Sequence, residues 1–516
     1  MKTVAFHNLG CKVNAYELDI MQQILVEKGF EVVPFDKKAD IYIVNTCTVT
    51  NIADRKSRQM LHRAKQKNPE AIVVAVGCYV QTDQEGVEKD PCIDLAIGNN
   101  RKKDIGVILE EYLKNHAAGT KAGEAASDSS HEDKTLGGST VLDIDHTYEY
   151  EEMTLTKTAE HTRAYIKIQD GCNQFCSYCA IPLARGRVRS RLPQDILREI
   201  RGIVKAGYQE IVLTGIHISS YGIDFRDEDW KQTKEQGTKQ AYGMDEDGQN
   251  DRRAVDYRGS SKLMELIEQI HGIEGLRRIR ISSLEPRIVT AQSAARLAAM
   301  EKVCPHFHLS LQSGCDATLK RMNRHYTAAG FAESVKALRD AYYPRVPAIT
   351  TDVIVGFPGE TEEEFAATKA FLEGIRFYEM HVFKYSKRAG TRAAVMPDQI
   401  SEQVKAQRSD ILLELEKEQS MEFRKKYLGQ KAEVLFEEEK EIGGKQYLLG
   451  HTADYVRIAV ETNEMKPASP LAEQPETAEG TGKCGKKRIS ANDVVTVEVT
   501  EFLTEEILLG HETDLF

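Results

Sequence analysis

At 516 residues, with 41% hydrophobic and 29% charged side chains, the chain is too long for one ordinary domain and has the balance of a soluble globular protein. No apolar run reaches the roughly 18 residues needed to cross a bilayer, and Met1–His7 lacks the apolar core of a signal peptide, so a cytoplasmic protein with no membrane partner is expected. The net charge of −11 argues against nucleic acid, but segments 117–160 (−7) and 224–258 (−3) carry nearly all of it and read as solvated loops.

In chain order, the first 116 residues alternate strands and helices. Thr3–Phe6, Phe30–Phe35, Ile41–Val44, Ile72–Val76 and Leu95–Ile97 read as strands. Ala15–Lys28 and Arg55–Lys67 read as helices, the first with Leu18, Met21, Ile24 and Leu25 on one face. This alternation predicts an α/β unit built on a doubly wound parallel sheet. Segment 117–160 is rich in Gly, Ser, Thr and acids and reads as a linker. Over 161–425, strands are expected at Tyr165–Gln169, Glu210–Thr214, Ile279–Ser282, His308–Gln312, Thr351–Val355 and His381–Tyr385. Six βα units of this kind make a partial (β/α) barrel, whose function belongs at the strand C-termini. Residues 427–516 read as a small all-β module, with strands at Lys431–Phe436, Tyr455–Ala459 and Asp493–Val499 and a polar insertion at 467–487.

Ten cysteines in a reducing compartment point to metal ligation or catalysis wherever they cluster. Cys172, Cys176 and Cys179 follow the first barrel strand with C-x₃-C-x₂-C spacing. Three thiolates so close suit one face of a 4Fe–4S cube and leave its fourth iron open. The bland alternatives are a zinc knuckle short of a ligand or chance cysteines. Cys11, Cys47 and Cys78 each follow a strand of the N-terminal sheet. The C-terminal edge of a parallel sheet gathers ligand sites, so a second cluster is expected there. Three separate core cysteines are the alternative. Cys92, Cys304, Cys315 and Cys484 lack ligand spacing and read as structural.

Cys172, Cys176 and Cys179, with Tyr178 before the last, resemble the signature of radical S-adenosylmethionine (SAM) enzymes. The resemblance implies that the open iron chelates SAM and that one electron cleaves it to a 5′-deoxyadenosyl radical, making these cysteines catalytic as well as metal-binding. Taken with Gly10-Cys11-Lys12-Val13-Asn14, Asn45-Thr46-Cys47-Thr48-Val49 and Val76-Gly77-Cys78-Tyr79, the chain resembles the methylthiotransferase family over nearly its whole length. That resemblance implies two 4Fe–4S clusters and SAM as cofactors. It also implies a sulfur held on the Cys11–Cys47–Cys78 cluster, methylated by a first SAM and joined to a carbon activated through a second. It gives Tyr178, Thr214, Gly215, Ser283, Glu285, Gln312 and Asp352 as SAM contacts, and the C-terminal module as an RNA-binding TRAM-like barrel.

The Gly-Cys-Lys-Val-Asn form around Cys11 resembles the branch acting at C2 of N6-threonylcarbamoyladenosine next to the tRNA anticodon. Other branches act on N6-isopentenyladenosine in tRNA or on a ribosomal-protein aspartate, and a non-catalytic iron–sulfur RNA-binding protein is the alternative of another class. The implied partners are the tRNA anticodon loop, a sulfur source and an electron donor such as flavodoxin or ferredoxin. Arg185, Arg187, Arg189 and Arg191 alternate just after the cysteines. In an extended segment they would share one face, where guanidinium groups suit phosphate. Lys384, Lys387, Arg388 and Arg392 would extend that patch.

Overall fold

The computed structural model describes residues 2–117, 134–136, 139–157, 162–225, 258–462 and 489–512. The insertion at 467–487, with Cys484, and most of the insertion at 224–258 lie outside the described residues.

The N-terminal strands form one sheet in the order Glu31–Val33, Thr3–Asn8, Ile41–Thr46, Ile72–Gly77, Leu95–Ile97, all parallel. Ile41–Thr46 is buried at every position, as expected of a strand covered on both faces. Helices Lys12–Glu27 and Ile105–Ala117 lie against one face, where Met21, Leu25, Ile43, Val74 and Leu109 share a core. Helix Asn51–Lys67 lies against the other with Tyr42, Leu61, Val73 and Ala75.

All six barrel strands are present: Ala164–Asp170, Glu210–Gly215, Arg278–Ile281, His306–His308, Ala348–Val355 and Glu379–Lys384. The first three pair in parallel in one sheet and the last three in another. The join between third and fourth is looser, carried by the bridges Ile279–Val303 and Leu284–Leu309. The fourth strand lies earlier than the expected His308–Gln312, at His306–His308; beyond it Gln312 turns to φ +72° and meets the fifth strand only through an isolated bridge to Val353. Ile166, Leu213, Ile281, Val353 and Val355 pack outward against the helices, so alternate residues face the lumen. The long helix Glu402–Lys425 leads to a closed five-stranded barrel in the order Lys431–Ile442, Lys445–Thr452, Arg457–Glu461, Leu508–Glu512, Val494–Phe502. Two of these strands, Lys445–Thr452 and Leu508–Glu512, go beyond the sequence reading.

One reading is corrected here. The described part of 117–160 is structured. Ser139–Val141 adds to the N-terminal sheet beside Leu95–Ile97, and Met153 and Leu155 are buried in the core of the central barrel. The acids that suggested a solvated loop include Glu151, which is buried and accepts a hydrogen bond from the Lys103 amide at 2.8 Å. No helix among the described residues is long and apolar enough to cross a membrane.

Candidate metal and cofactor site

Strands Thr3–Asn8, Ile41–Thr46 and Ile72–Gly77 are neighbours in the sheet, and each is followed by a cysteine at its C-terminal end. Cys11 caps the helix Lys12–Glu27, and Cys78 opens the short helix Cys78–Thr82. Gly10 makes the approach possible. Its φ is +110°, and a Cβ there would sit 3.0 Å from Cys47 Sγ. The thiols feel one another: burial, then the charges of Cys78 and Cys11, push Cys47 up to about 12. Cys11 is raised by burial and by Cys78, although Arg185 opposes this.

Arg185 belongs to a buried charge cluster that joins the two α/β units. Its guanidinium donates to Glu17 at 2.8 Å, Asp170 at 3.1 Å and Asn14 at 2.7 Å. Lys167 donates to Glu17 at 2.7 Å and lies 2.6 Å from Asp170, and Lys102 also donates to Glu17. Arg189 stands 3.8 Å from Asp170. Even with Glu151 counted, the cations Lys102, Lys167, Arg185 and Arg189 outnumber the carboxylates Glu17, Asp170 and Glu151. Arg185 Nε, buried, has no hydrogen-bond partner among the described residues. An excess of buried positive charge beside three thiols fits a group that binds them as thiolates and carries net negative charge.

Cys172, Cys176 and Cys179 occupy the loop after Ala164–Asp170. Gly171 has φ +68°, and a Cβ there would lie 1.8 Å from the Arg187 carbonyl oxygen, so only glycine lets the loop close. The Cys172 amide donates to the Gly186 carbonyl at 3.0 Å and the Cys179 amide to the Cys176 carbonyl at 3.0 Å. Burial pushes Cys172 and Cys179 up to about 12. Arg324 Nη1 donates to Cys176 Sγ at 3.1 Å. Raised by burial, Cys172 and Cys179 need a strong positive charge beside them to ionise, as ligated iron provides. Asn99 ties the N-terminal set to the chain after the second one: its Nδ2 donates to Cys78 Sγ at 3.5 Å and at 2.7 Å to the carbonyl of Ala184, in the helix Ile181–Arg185 that follows Cys179.

The expected SAM contacts divide. Thr214, Glu285 and Gln312 are nearly buried, Tyr178, Gly215 and Asp352 half-buried, and Ser283 exposed. Burial would raise the Glu285 carboxyl, but His217, whose Nε2 is 3.2 Å away, and a hydrogen bond from Arg287 outweigh it and hold it at about 2. Asp352 is held below its ordinary range by His308, whose Nε2 is 3.2 Å away. Tyr178 packs edge-on to Phe357.

The four alternating arginines do not form a surface strip. Ile181–Arg185 is a helical turn, Gly186 reverses the chain at φ +66°, and Arg189–Ser190 pairs antiparallel with Gln169–Asp170. Arg185, Arg189 and Arg191 are each only 1% exposed. Arg191 is spent on Glu152 and Glu199. Only Arg187 stays accessible, 38% exposed, 3.0 Å from Asp145 and over the ring of Phe175. Of the second basic group, Arg388 is buried against Asn51 and Asp54, each at 2.6 Å, whereas Lys384, Lys387 and Arg392 are exposed. The buried pairing was hidden because partners such as Glu17 for Arg185 and Asp54 for Arg388 stand far away in the chain.

The chain is similar to known proteins along most of its length. A model described as "Uncharacterized protein family UPF0004" matches residues 3–98, and one for the radical SAM superfamily matches residues 166–372. The threonylcarbamoyladenosine tRNA methylthiotransferase MtaB of Bacillus subtilis is 38% identical over 90% of this chain and 91% of its own. Its namesake in Aquifex aeolicus is 36% identical over 86% and 95%. The tRNA-2-methylthio-N(6)-dimethylallyladenosine synthase of Carboxydothermus hydrogenoformans is 33% identical over 83% and 86%. Among solved structures, the radical SAM methyltransferase TsrM of Kitasatospora setae, with cobalamin and a 4Fe–4S cluster bound, superposes with TM-score 0.50 at 15% identity over 76% of this chain and 77% of its own, a likeness of fold.

Proposed function

This chain belongs to the radical SAM methylthiotransferases, and from that premise we propose that it methylthiolates C2 of N6-threonylcarbamoyladenosine beside the tRNA anticodon. The observation that carries the reading is a pair of three-cysteine sets, one ending three adjacent sheet strands and one following the first barrel strand, with Asn99 tying Cys78 to the helix after Cys179. Cys11, Cys47 and Cys78 would hold one iron–sulfur cluster, and Cys172, Cys176 and Cys179 the other. When bound, the clusters and SAM supply one-electron and group-transfer chemistry.

The chain's own residues then have separate tasks. Arg324 stabilises the Cys176 thiolate, and the Arg185 cluster does so for the N-terminal set. Glu285 stays ionised and offers SAM a carboxylate, with Thr214, Gly215, Ser283, Gln312, Asp352 and Tyr178 completing the pocket. Arg187 with Phe175, and Lys384, Lys387 and Arg392, are the groups left to meet RNA near this edge. The C-terminal barrel would add RNA surface. The setting is cytoplasmic, with a flavodoxin or ferredoxin as electron donor and a separate sulfur source.

The test is anaerobic reconstitution. The protein should bind about eight irons, and about four after replacement of either cysteine set by alanine. Loss of Cys172, Cys176 and Cys179 should abolish SAM cleavage, whereas loss of Cys11, Cys47 and Cys78 should spare it. Full iron in the second variant refutes the N-terminal cluster. A deletion strain should lose 2-methylthio-N6-threonylcarbamoyladenosine while its isopentenyl counterpart persists. The opposite pattern would move the enzyme to the other tRNA branch.

A further inference from the structure

Away from the two cysteine sets, another group of metal-ligating side chains meets in the N-terminal unit. Helix Asn51–Lys67 carries His62, and the turn between helix Gln84–Glu88 and strand Leu95–Ile97 carries Asp90 and Cys92. His62 Nε2 is 2.7 Å from Asp90 Oδ2. A ring nitrogen of His62, a carboxylate oxygen of Asp90 and Cys92 Sγ all lie within 4.8 Å of one another. The turn fixes two of the three. Pro91 takes the second position of Asp90–Ile93, where its fixed φ suits a β-turn. The Ile93 amide donates to the Asp90 carbonyl at 3.1 Å, and the Cys92 amide donates to Asp90 Oδ1 at 3.0 Å. Asp90 Oδ2 is left for His62. The Asp90 side chain is 11% exposed and that of His62 47%, so the group is seated on the protein and open to water on one side. The nearest other charges are spent on each other: Lys65 donates to Asp94 at 2.8 Å and to the Ala71 carbonyl at 2.9 Å, and Asp94 accepts from the Val73 amide at 2.8 Å. The turn leads into Leu95–Ile97, which places the group at the N-terminal edge of the parallel sheet. Cys11, Cys47 and Cys78 follow strands at the opposite edge.

We propose that His62, Asp90 and Cys92 bind a zinc-class divalent cation, with water in the fourth position, at a site separate from both iron–sulfur sets. An ordinary surface ion pair accounts for the imidazole and the carboxylate but gives the thiol no task. One nitrogen, one oxygen and one sulfur form a donor set that zinc accepts, and the thiolate selects it over magnesium and calcium. Tetrahedral bonds of about 2.0–2.3 Å place such ligand atoms about 3.3–3.6 Å apart, so the group closes on an ion by side-chain rotation. The ligands come from an outer helix and from the turn that opens a sheet strand. The cation therefore cross-links helix Asn51–Lys67 to strand Leu95–Ile97, beyond which Asn99 reaches Cys78. Chain spacing hides the group, since 28 residues separate His62 from Asp90.

The experiment uses the full chain without an affinity tag, reconstituted anaerobically so that its iron sites are filled, then loaded with Zn²⁺ and freed of excess metal over a weak chelator. The wild type should retain about one zinc per chain at unchanged iron content, and zinc K-edge absorption should show one sulfur at about 2.3 Å with nitrogen and oxygen at about 2.0–2.2 Å. Cys92→Ser and His62→Ala should each weaken zinc binding by at least about 10- to 100-fold, a loss that even groups merely supporting a ligand incur. Iron content and SAM cleavage should be retained in both, which also reports that they fold. Zinc should raise the unfolding midpoint of the wild type and not that of Cys92→Ser. No retained zinc in the wild type, a zinc spectrum without sulfur, or undiminished binding by Cys92→Ser overturns the proposal. None of these outcomes depends on which RNA the enzyme modifies.

Discussion

The central barrel is joined to its two neighbours through buried ionic networks, and the two networks differ in balance. On the N-terminal side, Glu17 and Asp170 face Lys102, Lys167, Arg185 and Arg189, and cations remain in excess even with Glu151 included. On the C-terminal side, the buried Arg163, Arg278 and Arg280 face Glu437, Glu433 and Glu210, one carboxylate for each buried guanidinium, with Glu433 half exposed and shared with the exposed Arg277. Tyr455 lies beneath both Arg163 and Arg280 as a cation–π partner. A balanced network suffices to dock two units, since every buried charge is answered. The unbalanced one lies against three thiols. Its excess is the local charge a set of thiolates calls for, so this interface positions chemistry as well as domains.

The comparison can be broken by removing each central carboxylate. Glu17→Gln leaves Lys102, Lys167 and Arg185 short of their shared partner and should cost about 3–5 kcal/mol in denaturant unfolding, the range for breaking a buried pair. Glu210→Gln should cost somewhat less, about 2–4 kcal/mol, because Arg163 and Arg278 keep Glu437 and Glu433. Its effect should be local, read as faster hydrogen exchange in strands 431–512 at unchanged iron content. Burial would raise the Glu210 carboxyl, but Arg280 and Arg163 hold it at about 2, below an ordinary glutamate near 4.5. Its contribution is therefore present above about pH 4.5 and lost as pH falls towards 2. Acid should loosen this docking in that window in the wild type and not in Glu210→Gln.

Arg185→Met and Arg280→Met sharpen the difference. Both remove a buried guanidinium from a carboxylate, so both destabilise. Arg185 adjoins the N-terminal cysteine set, whereas Arg280 lies beside the single buried thiol of Cys304, so only loss of Arg185 should weaken N-terminal iron binding, by about 10- to 100-fold as for other groups that support metal ligands. Chelator titration of the two reconstituted variants measures this. Equal iron retention would mean that the charge excess has no part in holding a cluster.

Much of this arrangement was legible in the sequence, for reasons particular residues make clear. Buried parallel strands are short apolar runs, so Ile41–Val44 and Ile72–Val76 stood out within the strands Ile41–Thr46 and Ile72–Gly77, and a cysteine after each falls at the same sheet edge. The networks were not legible. Glu17 and Lys167 are 150 residues apart, and nothing local to Ala184–Arg191 reveals that a helical turn, a positive-φ glycine and a two-residue strand turn alternate arginines inward. Composition misled at 139–155 in the same way. Its acids suggested solvent, while Met153 and Leu155 supply core contacts.

The smallest expected effect concerns the one arginine of that run still facing outward. Arg187 is 38% exposed, and its Asp145 partner is 56% exposed, so the pair is screened and worth little to folding. Arg187→Gln should leave the unfolding midpoint nearly unchanged. Its guanidinium lies over Phe175, inside the C-x₃-C-x₂-C loop, with 4.6 Å between guanidinium carbon and ring centre. A phosphate near that loop could replace Asp145 as partner without moving the ring. If it does, the variant should bind tRNA more weakly, and the slope of log affinity against log salt should flatten by about one. The same measurement on Arg191→Gln should show destabilisation, since Arg191 is buried against Glu199, with no change of slope in the fraction that folds. A slope unchanged in Arg187→Gln would confine RNA contact at this edge to Lys384, Lys387 and Arg392. A slope changed in Arg191→Gln would mean that RNA opens the interface the ionic networks hold shut.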